Sequence, residues 1–167
     1  MRAAAMKLFL LFRLGADHYA LDAAEVAEVL PLTRLKQIPG APAWVAGLMQ
    51  RRGQPVPVID LPALATGVPA APRTSTRTVL VHYRRAESEP ARLLGLRLEA
   101  ATQTLRCPAE SFVDAGVAGA SPRYLGPVRH DARGLVQWVR VGALLPDEVH
   151  AMLFADAAGE TAAEAAT

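Results

Sequence analysis

The sequence predicts a mainly β protein built from small barrels, on three observations. Short apolar or alternating runs recur at spacings of about 8–12 residues with turn-forming residues between them. Glycine and proline, 12 and 13 respectively in 167 residues, punctuate the chain and leave little room for a long helix. No heptad or solenoid repeat overrides that pattern.

Taken in order, residues 8–14 (Leu-Phe-Leu-Leu-Phe-Arg-Leu) read as a mostly buried strand. Gly15-Ala16-Asp17 supplies turn chemistry, and His18 to Asp22 alternates with Tyr19 and Leu21 on one face, completing a hairpin. Asp22-Ala-Ala-Glu25 has capping-box character, and Val26, Val29 and Leu30 follow at i, i+3 and i+4. That spacing predicts a short amphipathic helix ended by Pro31, with Glu28 on the face away from Val26 and Val29. At about two turns it needs a surface to lie against. Residues 38–44 are a loop closing on Trp44. A strand from Val45 to Arg51, a turn at Arg52-Gly53-Gln54 and a return strand from Pro55 to Asp60 come next.

The return strand carries a constraint. Amides two residues apart point to the same side, so Pro55 and Pro57 remove donors from one edge only. An edge strand is expected, or one at a barrel seam where pairing stops on one side. Residues 62–78, with Pro62, Pro69 and Pro72, are expected to be a lobe junction. It separates a first lobe at about 6–66 from a second at about 78–146. The second block offers Thr78–Tyr83, a polar turn at 84–90, Leu93–Leu98 and Thr102–Leu105, and breaks at Cys107-Pro108. Strands at 124–130 and 135–141 are joined by a turn at 131–134. A last helix starts at Leu144-Leu145-Pro146-Asp147 and runs to about Phe154, after which the Ala-rich segment 155–167 is expected to fray.

Composition excludes several classes. Hydrophobic residues make up 51% and charged residues 20%, which is no disordered tail. The charges nearly cancel at +2, and 16 of the 18 basic residues are Arg, the exceptions being Lys7 and Lys36. Only Arg51-Arg52 and Arg84-Arg85 are adjacent, so no clustered basic stripe of the kind that marks nucleic-acid binding is visible. One cysteine, Cys107, rules out an internal disulfide and fits a reducing compartment. The apolar run Leu8–Phe12 is too short for a signal peptide or a membrane span, which leads to the expectation of a cytoplasmic protein.

Tests for catalytic chemistry come back negative. His18, His82, His130 and His150 are widely separated, and none has metal-ligand spacing to Cys107 or to another histidine. There is no phosphate-binding G-x-x-x-x-G-K-[ST] and no G-x-S-x-G elbow. Cys107 beside a proline in apolar surroundings reads as a buried, inert thiol. No metal or cofactor is expected. What stands out is the placement of Arg52, at the glycine turn before the double-proline strand, and of Glu28 on the short helix. Each reads either as a solvated charge or as part of a docking surface with Arg as its anchor.

Phe12-Arg-Leu-Gly, Tyr19-Ala-Leu-Asp, Val26-Ala-Glu-Val-Leu, Ile38-Pro-Gly-Ala-Pro, Gly47-Leu-Met-Gln-Arg-Arg-Gly and Pro57-Val-Ile-Asp-Leu, in that order, resemble the CheW-like chemotaxis coupling family. The match is dense over residues 8–61 and weaker as far as Leu145. The resemblance implies two SH3-like five-stranded barrels side by side within residues 6–154. It implies no catalysis, and an adaptor bridging the cytoplasmic tip of a methyl-accepting chemoreceptor and the regulatory domain of a CheA-type histidine kinase, at membrane-associated receptor arrays. The receptor's helical hairpin would lie in an apolar groove between the lobes. Receptor-contact roles carry over to Val26, Glu28, Gly47 and Arg52, with Val29, Leu30 and Met49 as groove-lining candidates. Three departures from the family pattern mark this chain: Gln50-Arg51 before the turn, Leu98-Glu-Ala-Ala101 in the second lobe, and Arg140 where an Asp is usual. They suit a dedicated partner set, such as that of a Wsp-type surface-sensing system. The competing reading is an SH3-like barrel that binds RNA or another nucleic acid with strong salt dependence.

Overall fold

The computed structural model describes residues 5–116 and 122–154; the segment 155–167, expected to fray, lies outside them. Nine strands and two α-helices fold in the order β1 (Met6–Leu14), β2 (Asp17–Asp22), β3 (Val26–Leu30), β4 (Val45–Arg51), β5 (Gln54–Asp60), α1 (Leu61–Thr66), β6 (Arg77–Tyr83), β7 (Arg92–Pro108), β8 (Leu125–Asp131), β9 (Gly134–Val139) and α2 (Asp147–Phe154). Short 3-10 turns at Ala23–Glu25, Ala109–Ser111 and Val141–Ala143 link them.

The strands form two five-stranded lobes joined through β7, a single 17-residue strand where two shorter ones were expected. Its first half lies between β6 and β5, and its second half pairs with β1. The strand changes lobe around Ala100, which takes a left-handed φ of 53°. One lobe runs β3-β6-β7-β5-β4 and the other β7-β1-β2-β9-β8. The same order, with the parallel pair in the same place (β5 with β7, β2 with β9), makes the lobes pseudo-equivalent. Each is drawn shut by one isolated bridge onto the outer edge of its last strand, Lys36 to Leu48 in one and Val113 to Val128 in the other. The lobes therefore interleave along the chain and do not divide at 62–78: each borrows a hairpin or strand from the other half.

The region expected as a helix over 22–30 is instead one 3-10 turn followed by strand β3. Asp22 does cap, accepting from the Ala24 amide at 2.9 Å, but the turn lasts only three residues. From Val26 the pattern alternates half-buried and exposed, and β3 pairs antiparallel with β6. Val-Ala-Glu-Val-Leu fits both periods over so short a span. The unpaired edge of β6 and the β-branched valines decide for the strand. Conversely, α1 stands where a junction loop was expected. Asp60, only 3% exposed, accepts from the Ala63 amide at 2.9 Å and the Ala70 amide at 3.1 Å, and Pro62 lies in the first turn.

The double-proline strand behaves as its chemistry requires. The amide and carbonyl of Leu48 bond to Lys36, so they point away from β5. Pro57 lies opposite Leu48, and its missing donor therefore faces away from β4. Pairing with β7 on that far side begins only at Val58.

Each lobe has its own apolar interior. Phe9, Leu11, Ala20, Cys107, Phe112 and Val136 fill one, and Met49, Val56, Val58 and Leu80 the other. Small residues keep the narrow middles open: Ala20 opposite Leu11 in one, Gly95 opposite Leu80 in the other. A Cβ on Gly95 would approach Val58 Cγ2 to 2.8 Å. The largest cluster lies outside both interiors. It includes Leu10 and Phe12 from the second face of β1, Val79, Val81 and Tyr83 from β6, Leu94, Leu96 and Leu98 from β7, and Val149 from α2. Helix α2 is held there by Tyr83, which stacks on Phe154 and shares a 3.0 Å hydrogen bond with His150. Burial pushes the Tyr83 hydroxyl up to about 12 and holds the His150 imidazole below its usual value.

Because one core serves both lobes, they are expected to unfold together. Denaturation followed separately by Trp44 and by Trp138, in single-tryptophan variants, should give coincident midpoints. Phe12→Ala should lower both by the same free energy, about 3–5 kcal/mol. Two resolved transitions would contradict the shared core.

Candidate functional site

The candidate residues gather where one lobe is open. Strands β3 and β4 are its two end strands and do not pair with each other. Across that seam Arg51 donates from Nε, at 2.7 Å, and from Nη2 to the same oxygen of Glu28. The two side chains are 25% and 36% exposed. Glu28 is thus paired by Arg51 and not by Arg52. The basic residue noted in the sequence as a departure beside the site is a structural element of it. Arg51 is the last residue of β4 and half-buried, whereas Arg52 already stands in the exposed turn.

Arg52 takes φ 50° and Gly53 φ 79° in the two-residue β4–β5 turn, the left-handed pair that such hairpins demand. The turn carries the Arg52 side chain into solvent, where it forms no ion pair among the described residues. On β3, Val29 is 44% exposed, whereas Val26 is half-buried against the shared core and Leu30 packs beside the interior cluster containing Met49. In strand geometry Glu28 falls with the half-buried residues and not on a separate helical face. Met49 is 6% exposed and belongs to the lobe interior, so it lines no surface groove. Gly47 has a local reason to be glycine. Its φ is 145°, and a Cβ would lie 2.5 Å from the Lys36 carbonyl oxygen that closes the lobe.

The clefts lie to either side of this group and are not lined by it. One, of about 530 Å³, runs between the proline edge of β5 (Pro55, Val56, Pro57), Leu93 and the end of α2 (Met152, Phe154). Another, of about 780 Å³, opens between the lobes beside Glu25 and is polar, with Arg84, Arg85, Arg123 and Arg140 on its walls. The inter-lobe cleft is therefore arginine-rich, and the more apolar groove is the one along β5 and α2. Glu25 was missed in the sequence as a site residue. Its Oε2 is buried with no hydrogen-bond partner among the described residues, and burial, then the nearby Asp22, raises its carboxyl above the usual range. Among the described residues no three His, Cys, Asp or Glu side chains converge as a metal set, and no helix is long and apolar enough to cross a membrane.

Fold and site define a class: a bilobal β protein whose candidate residues sit on an edge strand and a hairpin tip, a surface suited to macromolecular contact. The CheW-like domain model matches residues 8–149, and the chain belongs to that family. Among curated relatives it is 37% identical over 70 residues to Protein PilI of Pseudomonas aeruginosa, covering 42% of this chain and 39% of the relative. It is 28% identical over 94 residues to a probable chemotaxis protein CheW of Rhizobium etli, covering 56% and 57%. Each of these alignments spans less than two thirds of the relative. The scaffolding protein TtCheW from Thermoanaerobacter tengcongensis superposes with a TM-score of 0.73 at 19% identity, over 87% of this chain and 91% of that one. That likeness agrees with the two-lobed SH3-like architecture.

The Glu28–Arg51 clamp should be measurable. A double-mutant cycle of Glu28→Gln and Arg51→Met, read by chemical denaturation, should give a coupling of about 0.5–1 kcal/mol at low salt. It should shrink at about 1 M salt, where the Debye length is about 3 Å. A coupling of zero at low salt would mean that the seam is closed by the Lys36–Leu48 bridge alone.

Proposed function

We propose that this protein is a non-enzymatic coupling adaptor. It bridges the cytoplasmic tip of a methyl-accepting chemoreceptor and the regulatory domain of a CheA-type histidine kinase in a chemosensory pathway. It works in the cytoplasm, at membrane-associated receptor arrays. The observation that carries this reading is the CheW-like match over almost the whole described chain, 8–149. The printed names of the relatives, chemotaxis proteins and a scaffolding protein, agree with it.

The receptor-facing surface in this reading is the solvent side of the β3–β4 seam. Arg52 at the hairpin tip and Val29 on β3 are exposed side chains free to make new contacts. Glu28 and Arg51 hold each other, so they position the surface and add a partly desolvated charge pair to it. Val26 supports β3 from behind through the shared core, and Gly47 keeps the neighbouring crossing tight. No observation favours the nucleic-acid alternative: net charge is +2, and the inter-lobe cleft has Glu25 and Glu87 on its walls as well as its arginines.

The test is pull-down of the full chain with a receptor signalling-tip fragment and, separately, with the kinase regulatory domain. Arg52→Glu and Val29→Glu, both at exposed positions, should weaken receptor capture at least tenfold while leaving kinase capture and thermal stability near wild type. Val26→Asp should lose receptor capture together with stability, because it places a charge against the core. Normal receptor capture by both surface variants would displace the site from this seam. Capture of neither partner by the wild-type chain would remove the adaptor reading.

A further inference from the structure

We propose that the arginine-lined cleft between the lobes is a binding site for a small phosphate-bearing ligand of the nucleotide class. This inference stands apart from receptor coupling and rests on charge, on the shape of the cleft and on one unsatisfied carboxyl oxygen at its wall. The cleft, of about 780 Å³, falls within the size range of small-molecule sites, about 300–1,000 Å³. Four guanidinium groups reach it from three stretches of chain: Arg84 and Arg85 after β6, Arg123 just ahead of β8, and Arg140 after β9. Arg85 is already engaged by Glu89 and Asp147, whereas Arg84, Arg123 and Arg140 form no ion pair among the described residues. Arginines converging on one concavity call for clustered negative charge, and a diphosphate or triphosphate supplies it with oxygens spaced for the guanidinium fork.

The backbone fixes this arrangement at two glycines. A Cβ on Gly142 would lie 2.5 Å from the Arg84 carbonyl oxygen, so the 3-10 turn after β9 meets the end of β6 backbone to backbone. A Cβ on Gly126 would lie 3.2 Å from Arg140 Nε and 2.8 Å from the Trp138 carbonyl oxygen, so the bare glycine gives the Arg140 side chain its berth. Arg140 makes no side-chain cap to the turn that follows it, so the fold leaves its guanidinium unused. Phosphate alone does not account for the cleft. Glu25 stands on its lining with Oε2 buried and without a hydrogen-bond partner among the described residues. Rotation about the last side-chain bond is soft and presents either oxygen to an N–H or O–H donor. Ala24, Ala86, Ala91 and Ala143 add apolar surface to the same lining. A nucleotide carries the three matching parts: phosphates for the arginines, donors on the base or sugar for Glu25, and a ring face for the alanines.

The test is isothermal titration of the full chain with ATP and with GTP, alongside inorganic triphosphate and a single-stranded oligonucleotide. At least one of the two nucleotides should bind at one site per chain. Arg123→Asp combined with Arg140→Asp should weaken it at least tenfold, whereas Arg106→Asp, at an exposed arginine outside the cleft, should leave it unchanged. All three positions are exposed, so these variants should keep the wild-type thermal transition. Glu25→Gln should weaken the nucleotide at least threefold but not inorganic triphosphate. Four results would overturn the proposal. Absence of binding by both nucleotides at about 1 mM would leave the cleft without a ligand of this class. Undiminished binding by the double arginine variant would place the ligand elsewhere. Triphosphate held as tightly as the nucleotide, or Glu25→Gln without effect, would reduce the cleft to a sink for charge. An oligonucleotide held more tightly than either mononucleotide would make the ligand a nucleic acid.

Discussion

Strand β1 buries both of its faces, and the rest of the architecture depends on that. Phe9 and Leu11 fill the interior of one lobe, while Leu10 and Phe12 point the other way into a core shared with β6, β7 and α2. A strand in that position cannot belong to an independent lobe. Its apolar surface on the second side, worth roughly 1.5–3 kcal/mol for each large side chain fully buried, is satisfied only when the other lobe is present. The interleaved connectivity follows: β7 crosses between lobes, and each lobe completes its five strands with elements from the other half of the chain. The protein is two barrels in shape and one unit in energy.

That rigidity positions the candidate surface. Seam strands β3 and β4 are held from below by the shared core through Val26 and by the lobe interior through Met49. They are held at the edge by the Lys36–Leu48 bridge and across the gap by Glu28–Arg51. The bridge tolerates no side chain at residue 47, so glycine there is a packing requirement first. What remains on the outside is small: Ala27 and Val29 on β3, Gln50 at the end of β4, and the hairpin tip with Arg52. A small, stiff surface of this kind suits an adaptor, because little ordering cost is added on binding.

Much of the architecture was legible in the chain, for identifiable reasons. The Pro55–Pro57 pair announced a seam, and in the structure β5–β7 pairing starts only after Pro57. Hairpins with glycine turns and the last helix were equally plain. Two elements misled. Over five residues, Val26–Leu30 satisfies helical and extended periods alike, and only pairing with β6, a long-range contact, decides it. At 60–62, aspartate followed closely by proline was a helix-start signal outweighed by the many prolines beyond it. The pseudo-repeat and the lobe interchange were invisible because they are relations between distant strands. The site was half legible: residue types and spacing drew Glu28 and Arg52 together, whereas the structure joins Glu28 to Arg51. Met49 alternates with solvent-facing neighbours, and that alternation cannot tell the inside of a barrel from a groove.

In the proposed function the β3–β4 seam is the face offered to a receptor. Hydrogen exchange of the full chain, with and without a receptor signalling-tip fragment, tests it most directly. Slowed exchange confined to Val26–Leu30 and the turn at Arg51–Gln54, with β8 and β9 unchanged, is the predicted result. Protection of the arginine cleft or of the distant lobe, with the seam exchanging as before, would contradict it.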